Sequence, residues 1–183
     1  MINERGFWED DGVHNHKYDL PLNEALIKYL RKQGVVSILD LGCGPGEYAS
    51  KFIKENFYCE CYDGNPNTPQ ISKNLCKVLD VSSPIDLGNQ YDCVLSLEVG
   101  EHIPEQYESV FIDNIVRHSR NLIIISWATI WLGGYGHFNE RANDYIENLF
   151  SRKRFYRDKE AETFLRNSPQ WWWFKNTIMV FKK

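Results

Sequence analysis

Leu22, Ala25, Leu26, Tyr29 and Leu30 fall at i, i+3, i+4, i+7 and i+8, with Pro21 near the start and Gly34 just past the end. That spacing gives one apolar stripe and predicts an amphipathic helix carrying both of its boundary signals. A different pattern follows. Val35 to Leu41 is nearly continuous in apolar residues and stops at glycines, as a strand buried on both faces does. Similar short runs predict strands near 57–62, 75–79, 91–96 and 121–127. Helices are expected at 47–55 and at 104–117, the second opening with Pro104 and packing Tyr107, Val110, Phe111 and Ile115 on one side. After a glycine-rich break at 133–136 come a helix near 141–150, a strand near 154–157, a helix near 159–166 and a closing strand near 172–181. The alternation of strand and helix predicts an α/β fold: a mainly parallel sheet covered on both faces.

The first strand leads into the chain's most specific string, Ser37-Ile-Leu-Asp-Leu-Gly-Cys-Gly-Pro-Gly46, with Asp63 seventeen residues beyond it. Glycines at 42, 44 and 46 allow a tight turn and let a ligand approach bare backbone. The following helix turns its N-terminal amides to the same crevice. Asp63, at the exit of the second strand, can accept hydrogen bonds from ribose hydroxyls. These parts make a nucleoside-binding half-site. The dinucleotide fingerprint is G-x-G-x-x-G, whereas this chain reads G-x-G-x-G with Asp40 two residues before the first glycine. An acid there repels a pyrophosphate and can pair with an amino group.

Ile38 to Gly46 resembles motif I of the class I S-adenosylmethionine (SAM) dependent methyltransferases, and the family pattern runs through essentially the whole chain. The resemblance implies a seven-stranded, Rossmann-like sheet whose last strand is antiparallel, built as a single domain over 1–183 with an N-terminal arm at 1–19 and a substrate-side loop at 128–140. It implies SAM as cofactor and S-adenosylhomocysteine as product. It further implies that Asp40, Leu41, Gly42, Cys43, Gly44 and Gly46 cradle the methionine part, and that Asp63 and Gly64 hold the ribose. Asp80 and Val81 would meet the adenine, and Leu97 and Glu98 the cofactor through their backbone. A cap on the following turn is the plain structural role open to Asp80.

In open parallel sheets the ligand lies outside the carboxyl ends of the strands. The fourth strand exits into Leu95-Ser-Leu-Glu-Val-Gly-Glu-His-Ile-Pro104, which resembles the family's segment ending in Glu-His, and the resemblance implies that His102 lies near the transferred methyl. The fifth exits into a loop carrying His137 between tryptophans and glycines. His137 is the leading candidate for a general base and His102 the second, with structural roles open to both.

Length and charge narrow the partners. At 183 residues there is no room for the separate substrate domain of a dehydrogenase, which with Asp40 opposes a nicotinamide cofactor. A formal net charge of −4 argues against a nucleic-acid surface. No leader and no membrane-length apolar run is visible, so the expected setting is cytoplasmic. The odd count of 5 cysteines fits reduced buried thiols, and Cys59 with Cys61 lacks a second pair at zinc spacing. Glu9-Asp-Asp-Gly-Val-His-Asn-His16 contains ligand residues but no second group, so an arm closing over the cofactor is expected and no metal site. The basic run Ser151 to Arg157 reads as a solvated helix end.

Neither the tetrapeptide of the adenine and glutamine N-methyltransferases nor a Pro-Cys nucleophile follows the fourth strand. These features point to methyl transfer onto a small-molecule acceptor, with the tryptophans and the His-Asn-Glu loop favouring a sugar or glycan hydroxyl. A small amine acceptor and a non-catalytic SAM-binding subunit are the alternatives.

Overall fold

The computed structural model describes residues 2–9 and 16–183. Its elements are, in chain order, α1 (Leu20–Lys32), β1 (Ser37–Leu41), α2 (Glu47–Lys54), β2 (Tyr58–Asp63), α3 (Thr68–Ile71), β3 (Lys77–Val78), β4 (Tyr91–Ser96), α4 (Glu105–His118), β5 (Ser119–Ser126), α5 (Asn143–Arg152), β6 (Tyr156–Arg157), α6 (Lys159–Arg166), α7 (Phe174–Thr177) and β7 (Ile178–Lys182). The seven strands form one sheet in the order β3-β2-β1-β4-β5-β7-β6. Strands β1 to β5 are parallel, and β7 inserts antiparallel between β5 and β6. This is the class I methyltransferase, Rossmann-like arrangement. The chain order reverses direction between β1 and β4, so the crevice for a ligand opens at their carboxyl ends.

The pleat divides the core. Ile38, Ile124 and Val180 face α1, α6 and α7, while their neighbours Leu39, Ile123 and Phe181 face α4 and α5. Both layers are apolar, which is why β1, β5 and β7 are continuous rather than alternating hydrophobic strings. The first helix begins where expected. Asp19, fully buried, caps it by accepting from the Leu22 amide at 2.9 Å, and its other oxygen accepts from the Trp171 amide at 2.9 Å. Where a helix between strands is missing, Asn114 of α4 satisfies the backbone instead. It accepts from the Ile85 amide at 3.0 Å and donates to the Val81 and Ser83 carbonyls at 2.9 and 2.8 Å.

Three expectations are corrected. The closing strand begins at Ile178 rather than near 172, because Trp171 to Thr177 is drawn into tertiary contacts that override its strand propensity. Trp171 stacks on Trp173 at 5.1 Å and donates its indole N–H to the Tyr18 carbonyl, and Phe174–Thr177 forms one helical turn. The third strand shrinks to two residues because the chain before it is held in a turn, with the Leu75 and Cys76 amides both donating to Ser72. Arg157 is not solvated. Its guanidinium reaches Glu162 at 2.6 Å and Glu147 at 2.9 Å with only 9% of the side chain exposed, locking β6 to α5 and α6.

Candidate functional site

A cleft of about 490 Å³ opens along the carboxyl ends of β1, β2 and β4. Its floor is the turn after β1. The Gly42 and Cys43 amides donate to the Tyr62 carbonyl at 2.8 and 3.1 Å, which folds the turn back onto β2. Gly42 has φ of 81°, and a Cβ there would lie 2.2 Å from the Val99 side chain, so only glycine fits. At Gly44 the space a Cβ would take is filled by the His16 ring. Gly46 starts α2 and directs the helix N-terminus at the cleft. Leu41 is buried beneath the turn, and Cys43 packs its thiol with those of Cys61 and Cys76, the three sulfurs lying within 4.8 Å of one another.

Two acids flank this turn. Asp63 accepts from the Gly44 amide at 2.8 Å through one oxygen and from the Asn65 amide at 2.9 Å through the other. A carboxylate has about four acceptor sites, so both oxygens keep capacity for hydroxyl donors. Asp40 lines the cleft with 3% exposure, and burial, reinforced by Cys76 and Asp63, holds its carboxyl well above the usual range.

The N-terminal arm covers the far end. Phe7 packs onto Gly64, where a Cβ would lie 2.7 Å from the Phe7 Cβ. Phe7, Trp8, His16, Lys17 and Tyr18 all line the cleft. Residues 10–15, the middle of the segment weighed as ligands, lie outside the described residues.

Asp80 sits at the same end beside the buried Val81. One of its oxygens accepts from the Ser82 amide at 2.8 Å and hydroxyl at 2.6 Å; the other accepts from the Ser83 hydroxyl at 2.9 Å and Arg5 at 3.0 Å. Burial opposes its charge, but these hydrogen bonds and Arg5 outweigh it and hold the carboxyl below its ordinary range. With this arm position Asp80 caps its turn, and an adenine amino group could reach it only as Arg5 withdraws.

The exit of β4 is strained. Leu97 and Glu98 line the cleft, and Glu98 takes a left-handed φ of 56°, held by its amide donating to the Ser126 hydroxyl at 2.8 Å. Desolvation pushes the Glu98 carboxyl up to about 7. A single 3-10 turn, Gly100–His102, follows. It buries Glu101 completely, and neither of its carboxylate oxygens has a hydrogen-bond partner among the described residues. Burial first, then the charge of Glu98, raises the Glu101 carboxyl well above its ordinary range.

His102 and His137 meet here edge to face, with ring centroids 5.0 Å apart. The His102 Nδ1 lies 2.9 Å from the Gly136 carbonyl oxygen, and burial pushes the ring's pKa down to about 4. A carbonyl only accepts, so Nδ1 carries the proton and Nε2 the lone pair. The His137 Nδ1 faces Glu140 at 3.1 Å. Against a burial penalty, hydrogen bonds from His137 and from the Gly133 and Trp131 amides keep the Glu140 carboxyl below its ordinary range. Glu140 thereby gathers the loop after β5. The Phe138 and Asn139 amides, donating to the Glu101 carbonyl at 2.8 and 2.9 Å, fix that loop to the 3-10 turn. Tyr135 lines the cleft, and Trp131 and Phe138 of the same loop are exposed as it is.

The cleft is thus lined by Asp40, Gly42, Cys43, Asp63, Gly64, Asp80, Val81, Leu97 and Glu98, with Leu41, Gly44 and Gly46 behind it as support, and both histidines line it too. Glu101, Glu140, Arg5 and the Trp172–Trp173 wall were not foreseen. A signal existed for the first two: Glu101 directly precedes His102, and Glu140 follows His137 by three residues.

A family model described as a methyltransferase domain matches residues 14–157. No curated protein matches the chain by sequence. Among solved structures the chain is similar to the sugar N-methyltransferase KedS8 from Streptoalloteichus sp ATCC 53650, with TM-score 0.72 and 13% identity over 100% of this chain and 98% of that one. It is similar to CalS10, an amino pentose methyltransferase from Micromonospora echinaspora solved with SAM, with TM-score 0.70 and 12% identity over 87% and 89%. It is also similar to magnesium protoporphyrin IX methyltransferase from Synechocystis PCC 6803 bound to S-adenosylhomocysteine, with TM-score 0.66 and 14% identity over 87% and 80%.

Proposed function

The chain belongs to the class I SAM-dependent methyltransferases, and from that premise we propose that it methylates a hydroxyl of a small molecule, a sugar or glycan unit being the best fit. The cleft suits the cofactor. Its volume of about 490 Å³ is that of a nucleoside-sized ligand site, and its turn tolerates no Cβ at Gly42 or Gly44. When bound, SAM supplies an electrophilic methyl group on a sulfonium.

The chain's own residues then divide the work. The Gly42–Gly46 turn and Asp40 hold the charged amino-acid end, and Asp63 takes the ribose hydroxyls on its remaining acceptor sites. Gly64 and Val81 form the nucleoside walls, while Leu97 and Glu98 line the path toward the histidines. Phe7 and Trp8 exclude water from above. Methyl transfer needs nucleophile, carbon and sulfur in line, so positioning supplies much of the rate. A hydroxyl also has to lose a proton.

The observation that carries the hydroxyl assignment is the pair His102 and His137, each with Nδ1 tied down by an acceptor and the two rings edge to face at one end of the cleft. An aromatic rim of Tyr135 and Trp172 offers flat faces suited to a sugar ring.

An amine acceptor is the second reading, favoured by the likeness to a sugar N-methyltransferase and to an amino pentose methyltransferase. A neutral amine carries its own lone pair and would leave the histidine pair without chemical work. The two are separated by offering an amino sugar beside its hydroxyl counterpart with methyl-labelled SAM. Label on the hydroxyl compound is expected. Label confined to the amine would replace this proposal with N-methylation.

A further inference from the structure

We propose that Glu101, His102 and His137 bind a divalent first-row metal cation at the acceptor end of the cleft, and that this cation takes the acceptor's oxygen. Each residue offers one ligand atom, and the three atoms lie within 4.8 Å of one another. Metal–ligand bonds of about 2.1 Å in a tetrahedral site set ligand atoms about 3.4 Å apart, so side-chain closure of about 1 Å completes coordination.

Three independent features mark this as a built site. First, both imidazoles have Nδ1 engaged by an acceptor, the arrangement in which Nε2 serves a metal. Gly136 supplies a carbonyl for His102, and Glu140 supplies a carboxylate for His137. Second, Glu101 is 0% exposed with both carboxylate oxygens unpartnered. The Glu101 and Ala128 amides and the Glu98 carboxyl approach the carboxylate without completing a hydrogen bond, so its burial is costly, and a cation removes that cost. Third, the charge balances. Glu98 and Glu101 lie together, and among the described residues neither is ion-paired with a lysine or arginine. Two carboxylates complement a charge of +2.

The site is also placed for chemistry. Only three protein ligands converge, and His102 and His137 line the cleft, so coordination positions remain for an acceptor oxygen. This role rests on the hydroxyl reading above, whereas the binding of the cation does not; with the cation bound, the histidines are its ligands and serve the hydroxyl through it rather than as free bases. On the cation, the acceptor's O–H bond breaks and its proton passes to solvent. The oxygen keeps the electron pair that forms the new C–O bond as the C–S bond breaks, its electrons remaining with sulfur. The donor set of two imidazoles and one carboxylate suits Mn²⁺, Co²⁺ or Zn²⁺ better than Ca²⁺.

The test is a titration of the full chain, first stripped with a chelator, with Co²⁺ in the absence of SAM and acceptor, followed by visible absorption. One equivalent giving d–d bands is expected. Glu101→Gln should abolish those bands, and Glu140→Gln should weaken binding about 10–100-fold by releasing the His137 ring. Binding of S-adenosylhomocysteine to each variant checks that the cleft is intact. No stoichiometric cobalt signal in wild type, or an equal signal in Glu101→Gln with cofactor binding preserved, would overturn the site. Methyl transfer undiminished by chelator would overturn the cation while leaving the hydroxyl reading standing. Cobalt bound as described, with label moving only to amines, would uphold the site and remove the hydroxyl reading.

Discussion

The Nδ1 of His102 lies 2.9 Å from the carbonyl oxygen of Gly136, which adds a side-chain link to the two backbone hydrogen bonds that join the turn after β4 to the loop after β5. That contact sets the tautomer of His102 and the position of His137 together. Gly136 has φ of 78°, and a Cβ there would lie 2.0 Å from the Ile2 side chain. Gly136→Ala should therefore move the carbonyl off His102. Turnover is expected to fall about 10²-fold through misplacement, with S-adenosylhomocysteine affinity unchanged. A matched loss of both would show that the loop supports the cofactor instead.

His137→Ala should lower kcat by about 10²–10⁴-fold, the range for losing an acid–base or activating group. Calorimetry with S-adenosylhomocysteine should show an unaltered cofactor site. A fully active variant would return His137 to a structural role.

Asp63→Ala should weaken cofactor binding by about 1–3 kcal/mol, because ribose hydroxyls lose their acceptor and the Gly44 amide loses its tie. Unchanged affinity in the same calorimetric titration would remove Asp63 from the site.

Asp40 exchanges stability for function. Its carboxyl titrates well above the ordinary value in the folded chain, so the unfolded chain releases that proton first as pH rises. Its contribution to stability is therefore lost progressively from about pH 4 upward, toward the raised folded value. Asp40→Asn should flatten this slope and raise Tm at neutral pH by about 2–4 °C for each kcal/mol recovered, while weakening SAM binding. Melting curves across pH would show the wild-type and variant Tm converging at acid pH; a constant gap would contradict the burial argument.

Glu108 joins three parts of the loop scaffold. It accepts from the Asn139 side chain at 2.9 Å, Arg141 at 3.0 Å and the Tyr145 hydroxyl at 2.6 Å, and is only 6% exposed. Glu108→Ala should cost about 1–3 kcal/mol by stranding Asn139 and the Tyr145 hydroxyl, while Arg141 keeps its ion pair with Glu105 at 2.8 Å. Denaturant unfolding would read this as a lower midpoint with an unchanged slope.

The parts of this molecule written locally were legible in its sequence. The stripe from Leu22 to Leu30 marks α1, and the glycines after Leu41 mark the cofactor turn because no other residue permits it. Asp63 was visible through its place at a strand exit. Contacts between distant segments left no such trace. Trp171 to Phe174 has the composition of a strand, and its bonds to Tyr18 and Asp19 hold it in a different conformation. Arg5 reaches Asp80 across 75 residues, a pairing no local pattern encodes. Glu101 gave a partial signal in its adjacency to His102, but its complete burial follows only from the loop after β5 folding over it.

The most direct test of the account is to incubate the chain with methyl-labelled SAM and separate pools of sugars and nucleotide sugars, phenols and amines, nucleic acid, and protein, with Asp63→Ala as the blank. The account predicts label in the sugar pool, on oxygen, and its loss in the blank. Label in nucleic acid or protein, or no label in any pool while S-adenosylhomocysteine binds, would contradict it.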